Sequence, residues 1–493
     1  MQKHGMRFGL QHAATAFVAV VLLSACGAGS SGVVASTTTP ATSFAAGATC
    51  IVPGASGLPD AATGQDAYRY LLDYTAFATY RTGTDGDRQM SAWVMQQLRG
   101  MGYSVATEQY PFSRYVSRQA SLTVGTLTPK VFPMYYSGTT GGSAISAPIV
   151  DIGTGTAVEA AAAKGAIAFA EVPILLNSQT PTLNSLITTA AAQGARALVI
   201  ALQGPENEIV ALNADSRTGL CGFPVLQVGK VDGAQIKLMS GSPATFLLNA
   251  TIETAQLSNI VATLPGNSND IVMIGTPKNP WFTSAAERGT SVGGLLTLAR
   301  YFATRGPYNP TLIFLATGGH EVGYLGLQAF LDAHPDLVPR IGAYVHLGAS
   351  LAAKDFVEIN GKAQPTGTQN LITLYVSENP LMETLATTSM SSNGVIYDAI
   401  APSVLDPGEQ QSAYKAKIPI ASISASHFWF HTERDLPDLT SCSMLDPVIK
   451  GYRDLIQNLV GQSAANLRAA NAAAAALAGN PPAPAACLVA PSP

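Results

Sequence analysis

The sequence predicts an α/β protein built on a mostly parallel mixed sheet with helices on both faces, and two observations support this prediction. From residue 257 onwards, short apolar and β-branched runs alternate with stretches of helical periodicity. This alternation is typical of sheets that bury both faces under helices. Hydrophobic residues make up 47% of the 493 residues, so the chain has enough apolar surface to form a large core.

The elements follow from the periodicity of each segment. Helical patterns at 65–82 and 87–101 lead into an alternating strand at 103–110. Further strands are predicted at 258–266, 271–275, 311–316, 341–347, 371–376 and 418–424. Further helices are predicted at 290–304, 323–334 and 446–460. We expect one domain in two parts, 59–125 and 257–462, followed by an Ala/Pro-rich tail at 463–493.

A segment of different texture, 126–256, separates the two parts. Its short strands begin near residues 148, 165, 197 and 223, and its single helical run is Thr188 to Gln193. The run Ala191-Ala-Gln-Gly-Ala195 and the strand Phe223-Pro-Val-Leu-Gln-Val228 resemble those of the protease-associated domain. The resemblance implies a small, β-rich domain inserted into the main one.

The N-terminus has the pattern of an export signal. Lys3 and Arg7 precede an apolar stretch, residues 13–25, which is shorter than the ~20 residues of a membrane-spanning helix. It ends in Leu23-Ser-Ala-Cys26, which resembles the lipobox of bacterial lipoproteins. We therefore predict a signal peptide at 1–25, lipidation of Cys26, a flexible tether at 26–58, and a location at the bacterial cell envelope; the alternative is an ordinary signal peptide.

Charge and cysteine content exclude some classes of protein. A net charge of −4 excludes nucleic-acid binding driven by a strong basic field. Apart from Cys26, the chain carries Cys50, Cys221, Cys442 and Cys487. In an oxidising compartment these four cysteines allow three disulfide pairings, and the sequence does not choose among them.

Four runs, in order, resemble the zinc aminopeptidase family with two co-catalytic metals. They are Ser258-Asn-Ile-Val-Ala-Thr-Leu-Pro-Gly266, residues 286–300, residues 314–326 and Phe430-His-Thr-Glu-Arg-Asp435. The family includes bacterial leucyl aminopeptidases, glutamate carboxypeptidase II and the glutaminyl cyclases. The resemblance covers 65–112 and 257–460. It implies a site in which two zinc ions activate a water and polarise the scissile carbonyl.

Transferred position by position, the resemblance indicates a largely altered metal site. The ligands expected at the bridging carboxylate, the second Glu and the last His correspond to Glu287, Glu321 and His431. The general-base position is His320 instead of a Glu. The remaining positions hold residues that the family does not use there: Thr276 and Gly348 at ligand positions, Lys278 at the orienting Asp, and Arg288 beside the bridging carboxylate.

The three retained positions form one metal half-site in the family, so a single zinc held by Glu287, Glu321 and His431 is one prediction. The charge of the site argues against it. Lys278 and Arg288 add two positive charges to the two carboxylates, which leaves the aligned positions neutral. Unit charges ~4 Å apart interact by ~4 kcal/mol at an effective dielectric of ~20. A Lys278 or Arg288 side chain that points into the site therefore opposes metal binding. If that side chain pairs with Glu287 or Glu321, its charge takes the place of the metal.

A rival motif, Gly289-Thr-Ser-Val-Gly293, fits the Gly-x-Ser-x-Gly pattern of a nucleophile elbow. A triad of Ser291, His431 and either Asp406 or Asp435 has the required chain order. The residues before Ser291 are not strand-like, although an elbow follows a strand directly.

Three functional hypotheses follow. The first is a degenerate peptidase without standard two-zinc activity, which binds a peptide or protein partner at the envelope and is attached to the membrane through its lipid. The second is a one-metal hydrolase or cyclase that uses Glu287, Glu321 and His431, with His320 at the base position. The third is a serine hydrolase that acts through Ser291.

Overall fold

The structure is a computed structural model that describes residues 61–77, 80–174, 180–217, 222–402 and 408–469. The predicted signal peptide, Cys26, the tether, Cys50, Cys221, Cys487 and most of the tail lie outside these residues. Cys442 takes part in a disulfide bond. Within the described residues, no helix is both long enough and apolar enough to cross a membrane.

The strands are β1 Ser104–Val124, β2 Phe132–Pro133, β3 Ile145–Asp151, β4 Ile167–Val172, β5 Ala197–Leu202, β6 Val225–Val228, β7 Pro243–Leu264, β8 Ile271–Pro277, β9 Thr311–Thr317, β10 Ile341–Ala349, β11 Lys354–Ile359, β12 Lys362–Gln369, β13 Ile372–Val376, β14 Tyr397–Ile400 and β15 Ile420–Ser424. The helices are α1 Gly64–Thr75, α2 Asp85–Gly100, α3 Ala157–Ala160, α4 Pro181–Ala192, α5 Lys230–Leu238, α6 Thr290–Ala303, α7 Leu325–Ala333, α8 Pro380–Ser392, α9 Gln410–Lys415, α10 Cys442–Leu459 and α11 Ala464–Ala469.

The main sheet has the predicted mixed, mostly parallel character. Its strands run in the order β14-β13-β15-β10-β8-β9-β7, and β1 also pairs with β7. The central strands β15, β10, β8 and β9 are parallel to one another. At the two sides of this group, β7 is antiparallel to β9 and β13 is antiparallel to β15. The carboxyl ends of the four central strands therefore meet at one edge, where sites of α/β proteins form.

Helices cover both faces of this sheet, because alternate side chains of each buried strand point to opposite faces. Helices α1, α2, α6, α8 and α10 contribute to the apolar cluster on one face. Helices α7 and α9 pack on the other. A Cβ atom on Gly293 would lie 2.3 Å from the Ala67 carbonyl oxygen, so the close approach of α6 to α1 requires glycine.

The region between β1 and β7, which we call the insert (residues 125–242), extends this sheet, since the strand order continues from the end of β7 as β3-β4-β5-β6-β2. Strands β3, β4, β5 and β6 are parallel, and β3 joins the end of β7. The strands lie where the sequence predicts them, and helix α4 contains most of the predicted helical run. Helix α5 was not predicted; since its charged residues break the apolar pattern, the signal was weak.

Candidate functional site

Glu287, Glu321 and His431 come together at the carboxyl ends of the central strands. Glu287 lies in a π-helical turn, Ala285–Gly289, directly before α6. Glu321 follows β9, and His431 lies in the loop after β15. One ligand atom from each residue lies within 4.8 Å of the other two, and all three residues are buried. The structure thus assembles the trio that the sequence singled out.

The imidazole of His431 faces the two carboxylates through its Nε2 atom. This atom lies 3.3 Å from Glu287 Oε1 and 3.6 Å from Glu321 Oε2. On the other side of the ring, Nδ1 is 2.9 Å from the carbonyl oxygen of Ala211 and donates to it. Ser284 donates from Oγ to Glu287 Oε2 over 2.5 Å. The trio is therefore oriented by groups outside it, one of which belongs to the insert.

A guanidinium group lies between the two carboxylates. Arg288 Nη2 is 2.6 Å from Glu287 Oε1 and 2.8 Å from Glu321 Oε1. Arg288 Nη1 donates to the carbonyl oxygen of Gly348 over 3.0 Å. The Arg288 side chain is 1% exposed. Of the two bases considered in the sequence, Arg288 is the one that points inward.

The charged groups of this cluster shift one another's pKa values. Burial disfavours the guanidinium, but Glu287 and Glu321 outweigh it and raise the Arg288 pKa. Burial disfavours ionised Glu287, but Arg288 and His431 lower its pKa. Burial opposes protonation of His431, yet the charge and hydrogen bond of Glu287 raise its pKa above the usual value. Two negative charges are thus met by the guanidinium and by a proton on His431.

The residues as placed do not fit a zinc ion. Zinc needs ligand atoms at about 2.0–2.2 Å around a shared centre. One oxygen of each carboxylate is already bonded to Arg288, and His431 favours the protonated form, which offers no lone pair at Nε2. A metal would also bring its charge next to a buried guanidinium.

Lys278 points away from the trio. Its Nζ atom is 2.6 Å from Asp87 Oδ1 on α2, and the Lys278 side chain is fully buried. The Asp87 carboxylate also accepts from the main-chain N–H of Gly83 and from Ser91 Oγ. The sequence did not single out Asp87, which is 191 positions away in the chain. The ion pair therefore joins α2 to the end of β8 instead of filling the metal position.

The other metal half-site is closed by the backbone. A Cβ atom on Gly348 would lie 2.6 Å from the carbonyl oxygen of Ile423 and 2.9 Å from Ser424 Cβ. An Asp at this position would therefore need the β10 and β15 ends to move apart. Thr276 is fully buried and its hydroxyl donates to the neighbouring Pro277 carbonyl over 3.3 Å. Gly348 thus has no side chain that could act as a ligand, and the Thr276 hydroxyl is engaged with the main chain.

Residues 259–455 match the family model described as "Peptidase family M28". This part of the chain is therefore similar to peptidase family M28. The M28 domain, as we now call it, contains the whole trio.

The curated relatives and solved structures that resemble this chain include aminopeptidases. The "Probable lipoprotein aminopeptidase LpqL" of Mycobacterium tuberculosis is 24% identical over 271 residues, which cover 52% of this chain and 51% of that protein. The chain thus spans about half the length of that curated relative.

Two solved structures show the same fold. A zinc aminopeptidase from Bacillus subtilis has a TM-score of 0.67 at 19% identity, covering 82% of this chain and 96% of its own. An aminopeptidase from Aneurinibacillus sp. strain AM-1 has a TM-score of 0.59 at 21% identity, covering 80% of this chain and 93% of its own.

His320, at the general-base position of the M28 domain, faces a carboxylate that the sequence did not reveal. His320 Nδ1 is 3.4 Å from Glu409 Oε2. Glu409 is fully buried just before α9 and accepts from Thr317 Oγ1 over 2.7 Å. Its other oxygen lies 3.7 Å from His346 Nε2. Burial raises the pKa of Glu409, but the neighbouring imidazoles of His320 and His346 outweigh it and lower the pKa to about 2.

His346 has the structural role expected for a strand histidine. Its Nδ1 atom is 2.8 Å from Ser422 Oγ on the neighbouring strand β15, and burial lowers its pKa. Glu409 thus connects a histidine of the sheet with the histidine at the base position. No spacing in the sequence reveals this contact, because Glu409 and His320 are 89 positions apart.

Asp435 holds the turn that carries Glu287. Its carboxylate accepts from the main-chain N–H groups of Ala286, at 2.7 Å, and Glu287, at 3.0 Å. His427 Nε2 lies 3.6 Å from Asp435, and His427 Nδ1 is 3.0 Å from Ser350 Oγ. Burial lowers the His427 pKa to about 4, so a neutral ring packs here. These contacts give Asp435 and His427 a structural role in holding this turn.

Ser291 is not placed as a nucleophile. It lies in the first turn of α6, is fully buried, and donates from Oγ to the Gly348 carbonyl over 3.2 Å. The preceding element is the π-helical turn instead of a strand, so the geometry of a nucleophile elbow is not met. Asp406, one of its proposed triad partners, lies outside the described residues.

Left-handed backbone conformations gather around this site. Ser284, Tyr324, Ser350 and His431 have φ angles of 51°, 56°, 50° and 59°. Residues other than glycine adopt this region at a cost, and such residues concentrate at functional sites. Two of them flank the trio directly, and one is His431 itself. This group of conformations therefore coincides with the surroundings of the trio.

Proposed function

We propose that this protein is an envelope lipoprotein whose M28 domain has exchanged its metal centre for an ion-pair network, and that it binds a peptide or protein partner instead of hydrolysing peptides. One observation carries the proposal: the Arg288 guanidinium bridges Glu287 and Glu321 at 2.6 and 2.8 Å in a buried position. An internal cation thus takes the role that a metal would have there.

Energetics favour the network once it has formed. Displacing Arg288 with a metal would leave a guanidinium buried without a partner, and breaking a buried ion pair costs about 3–5 kcal/mol. The second half-site could not compensate, since neither Thr276 nor Gly348 supplies a ligand. A single ion would also have to remove the proton that His431 favours.

The envelope location rests on two supports. The run Leu23-Ser-Ala-Cys26 resembles a lipobox, and the Mycobacterium tuberculosis relative carries the word lipoprotein in its name. Lipidation of Cys26 would attach the domain to the membrane through the tether. Labelling cells with a palmitate analogue tests this: the wild type should incorporate it and Cys26→Ala should not.

Metal analysis of the mature protein tests the main proposal. We expect purified protein dialysed against micromolar free zinc to retain no stoichiometric metal and to leave leucine p-nitroanilide intact. The matched variant is Arg288→Asn, which removes the guanidinium from between Glu287 and Glu321 and should gain zinc. Stoichiometric zinc in the wild type that disappears in His431→Ala would contradict the proposal.

A one-metal hydrolase or cyclase is the second candidate, and the compactness of the trio favours it, because ligand atoms of Glu287, Glu321 and His431 lie within 4.8 Å of one another. This candidate requires Arg288 to rotate out of the site. X-ray absorption at the zinc edge would separate the one-metal candidate from the metal-free proposal. Zinc with one nitrogen and two oxygen neighbours in the wild type would support the one-metal candidate, and the absence of bound zinc would exclude it.

A further inference from the structure

Cys442 forms a disulfide bond with a cysteine outside the described residues. It is the first residue of α10 and is 1% exposed. The other four cysteines of the chain all lie outside the described residues: Cys26, Cys50, Cys221 and Cys487. A disulfide holds its two Cα atoms about 4.4–6.8 Å apart. The partner therefore belongs to a segment that can reach the first turn of α10.

The first turn of α10 lies at the edge of the sheet where the trio is assembled. The loop 425–441, which we call the site loop, connects the carboxyl end of β15 to α10. It carries His431, and also Asp435, whose carboxylate accepts two main-chain hydrogen bonds from the turn before α6. Cys442 follows the site loop directly. Its disulfide therefore fixes the end of the loop that carries one member of the trio.

Helix α1, the first described helix, begins next to Cys442. Its first residue, Gly64, donates its main-chain N–H to a carboxylate of α10 over 2.9 Å, and a Cβ atom on Gly64 would overlap the Cys442 carbonyl oxygen. Tyr68 of α1 donates to the carbonyl oxygen of Pro437 in the site loop over 3.3 Å. Cys50 is 14 positions before Gly64, and an extended chain of this length reaches up to about 50 Å. Cys50 is therefore within reach of Cys442.

The segments that adjoin Cys221 and Cys487 lie elsewhere in the fold. Cys221 directly precedes Gly222, whose carbonyl packs against Gly138 within the insert, whereas α10 packs on α1, α6, α8 and β10. The chain towards Cys487 leaves through α11, which packs against β10 beyond the other end of α10. Since α10 has 18 residues, its two ends are about 27 Å apart. These positions favour Cys50 as the partner.

We propose that Cys50 and Cys442 form a disulfide that clamps the site loop to the segment before α1. When the bond forms, the two thiols lose two protons and two electrons. A disulfide of a thiol oxidant in the exporting compartment takes them up and becomes two thiols. The predicted tether then ends at Cys50. This inference rests on the exported location in the proposed function, but it does not depend on the metal-free trio.

Peptide mapping tests the pairing, because the sequence places each cysteine in a different tryptic fragment. The mature chain with Cys26→Ser, produced by export and alkylated before digestion, keeps four cysteines. Cleavage after Lys and Arg places them in the fragments 26–69, 218–230, 435–450 and 469–493. Mass spectrometry without reduction should find 26–69 joined to 435–450, and reduction should separate the two. A bond from 435–450 to either of the other fragments would overturn the pairing.

Hydrogen exchange tests the clamp, with Cys50→Ser as the variant and Cys487→Ser as its matched control. The amides of Leu439 and Leu445 lie on either side of Cys442 and donate to main-chain carbonyls. They should exchange about tenfold faster or more in Cys50→Ser, and this variant should unfold at a lower urea concentration. Cys487→Ser should leave both amides at the wild-type rate. Equal rates in the two variants would overturn the clamp. Neither measurement depends on metal content or lipidation, so the proposed function is tested separately.

Discussion

The two bases that replace family residues in the M28 domain meet opposite surroundings. Arg288 points into the site and bonds to Glu287 and Glu321. Lys278 points away and pairs with Asp87 of α2. Both side chains are buried. Only one of the two therefore changes the charge at the metal position, although the sequence counts them equally.

The difference shows that adding the formal charges of the aligned residues does not give the charge that acts at the site. Lys278 is neutralised by a partner outside the family motifs and stabilises the junction between α2 and β8. Arg288 is neutralised by Glu287 and Glu321, the two carboxylates of the trio. The first substitution is expected to affect stability alone, whereas the second is expected to control both stability and metal binding.

Removing Arg288 should have the largest effect. Arg288→Ala removes the guanidinium that bridges two buried carboxylates and leaves only His431 beside them, so the free energy of unfolding should fall by about 4–5 kcal/mol. Urea denaturation measures this loss. Zinc should restore part of the stability of the variant, because a ligand that binds only the folded state adds about 2.7 kcal/mol at a hundredfold excess over its Kd.

The matched control is Arg288→Ala combined with Glu321→Gln, which removes one of the two charges and should recover stability without zinc. If Arg288→Ala unfolds at the wild-type urea concentration, the bridge contributes nothing, and the contrast between the two bases fails.

Replacing Lys278 should have a smaller effect that zinc does not change. Lys278→Met leaves Asp87 buried without its cation, and the free energy of unfolding should fall by about 3 kcal/mol. The double variant with Asp87→Asn should lose less than the sum of the two single losses. A zinc-dependent recovery in Lys278→Met would show that Lys278 also belongs to the metal position.

Glu409 predicts a stability change in acid. Its pKa is lowered from 4.5 to about 2 in the folded protein, so the folded state binds fewer protons than the unfolded state between these values. The stability that this group contributes is present above pH 4.5 and is lost as the pH falls towards 2. Between pH 4.5 and 2, the free energy of unfolding should fall by about 1–3 kcal/mol, and it should fall less in Glu409→Gln. An unchanged slope would show that other carboxylates cause it.

The smallest effect is expected at Ser291. Ser291→Ala removes one buried hydrogen bond to the Gly348 carbonyl, which should cost about 1 kcal/mol of unfolding free energy. A fluorophosphonate probe should label neither the wild type nor the variant. Labelling of the wild type that disappears in Ser291→Ala would restore the serine hydrolase hypothesis.

Much of the fold could be predicted from the sequence because its signals are local. Strands such as β8 and β9 are apolar runs bounded by turns, and α6 and α10 have clear helical periodicity. The β11–β12 hairpin was not predicted, since its exposed residues lack a strong apolar alternation. The ends of α1 and β1 also differ from the prediction, because packing against other elements decides where an element stops.

By itself, the sequence determined the alternation of strands and helices, the family motifs, and the identity of the trio Glu287, Glu321 and His431. The tertiary structure alone decided that Arg288 bridges this trio, whereas Lys278 turns to Asp87. It also decided that Glu409 lies beside His320 and that Ala211 of the insert holds His431. The physical reason is that the direction of a buried polar side chain is set by whichever partner satisfies it. In this fold, those partners come from distant segments that meet only once the chain has packed.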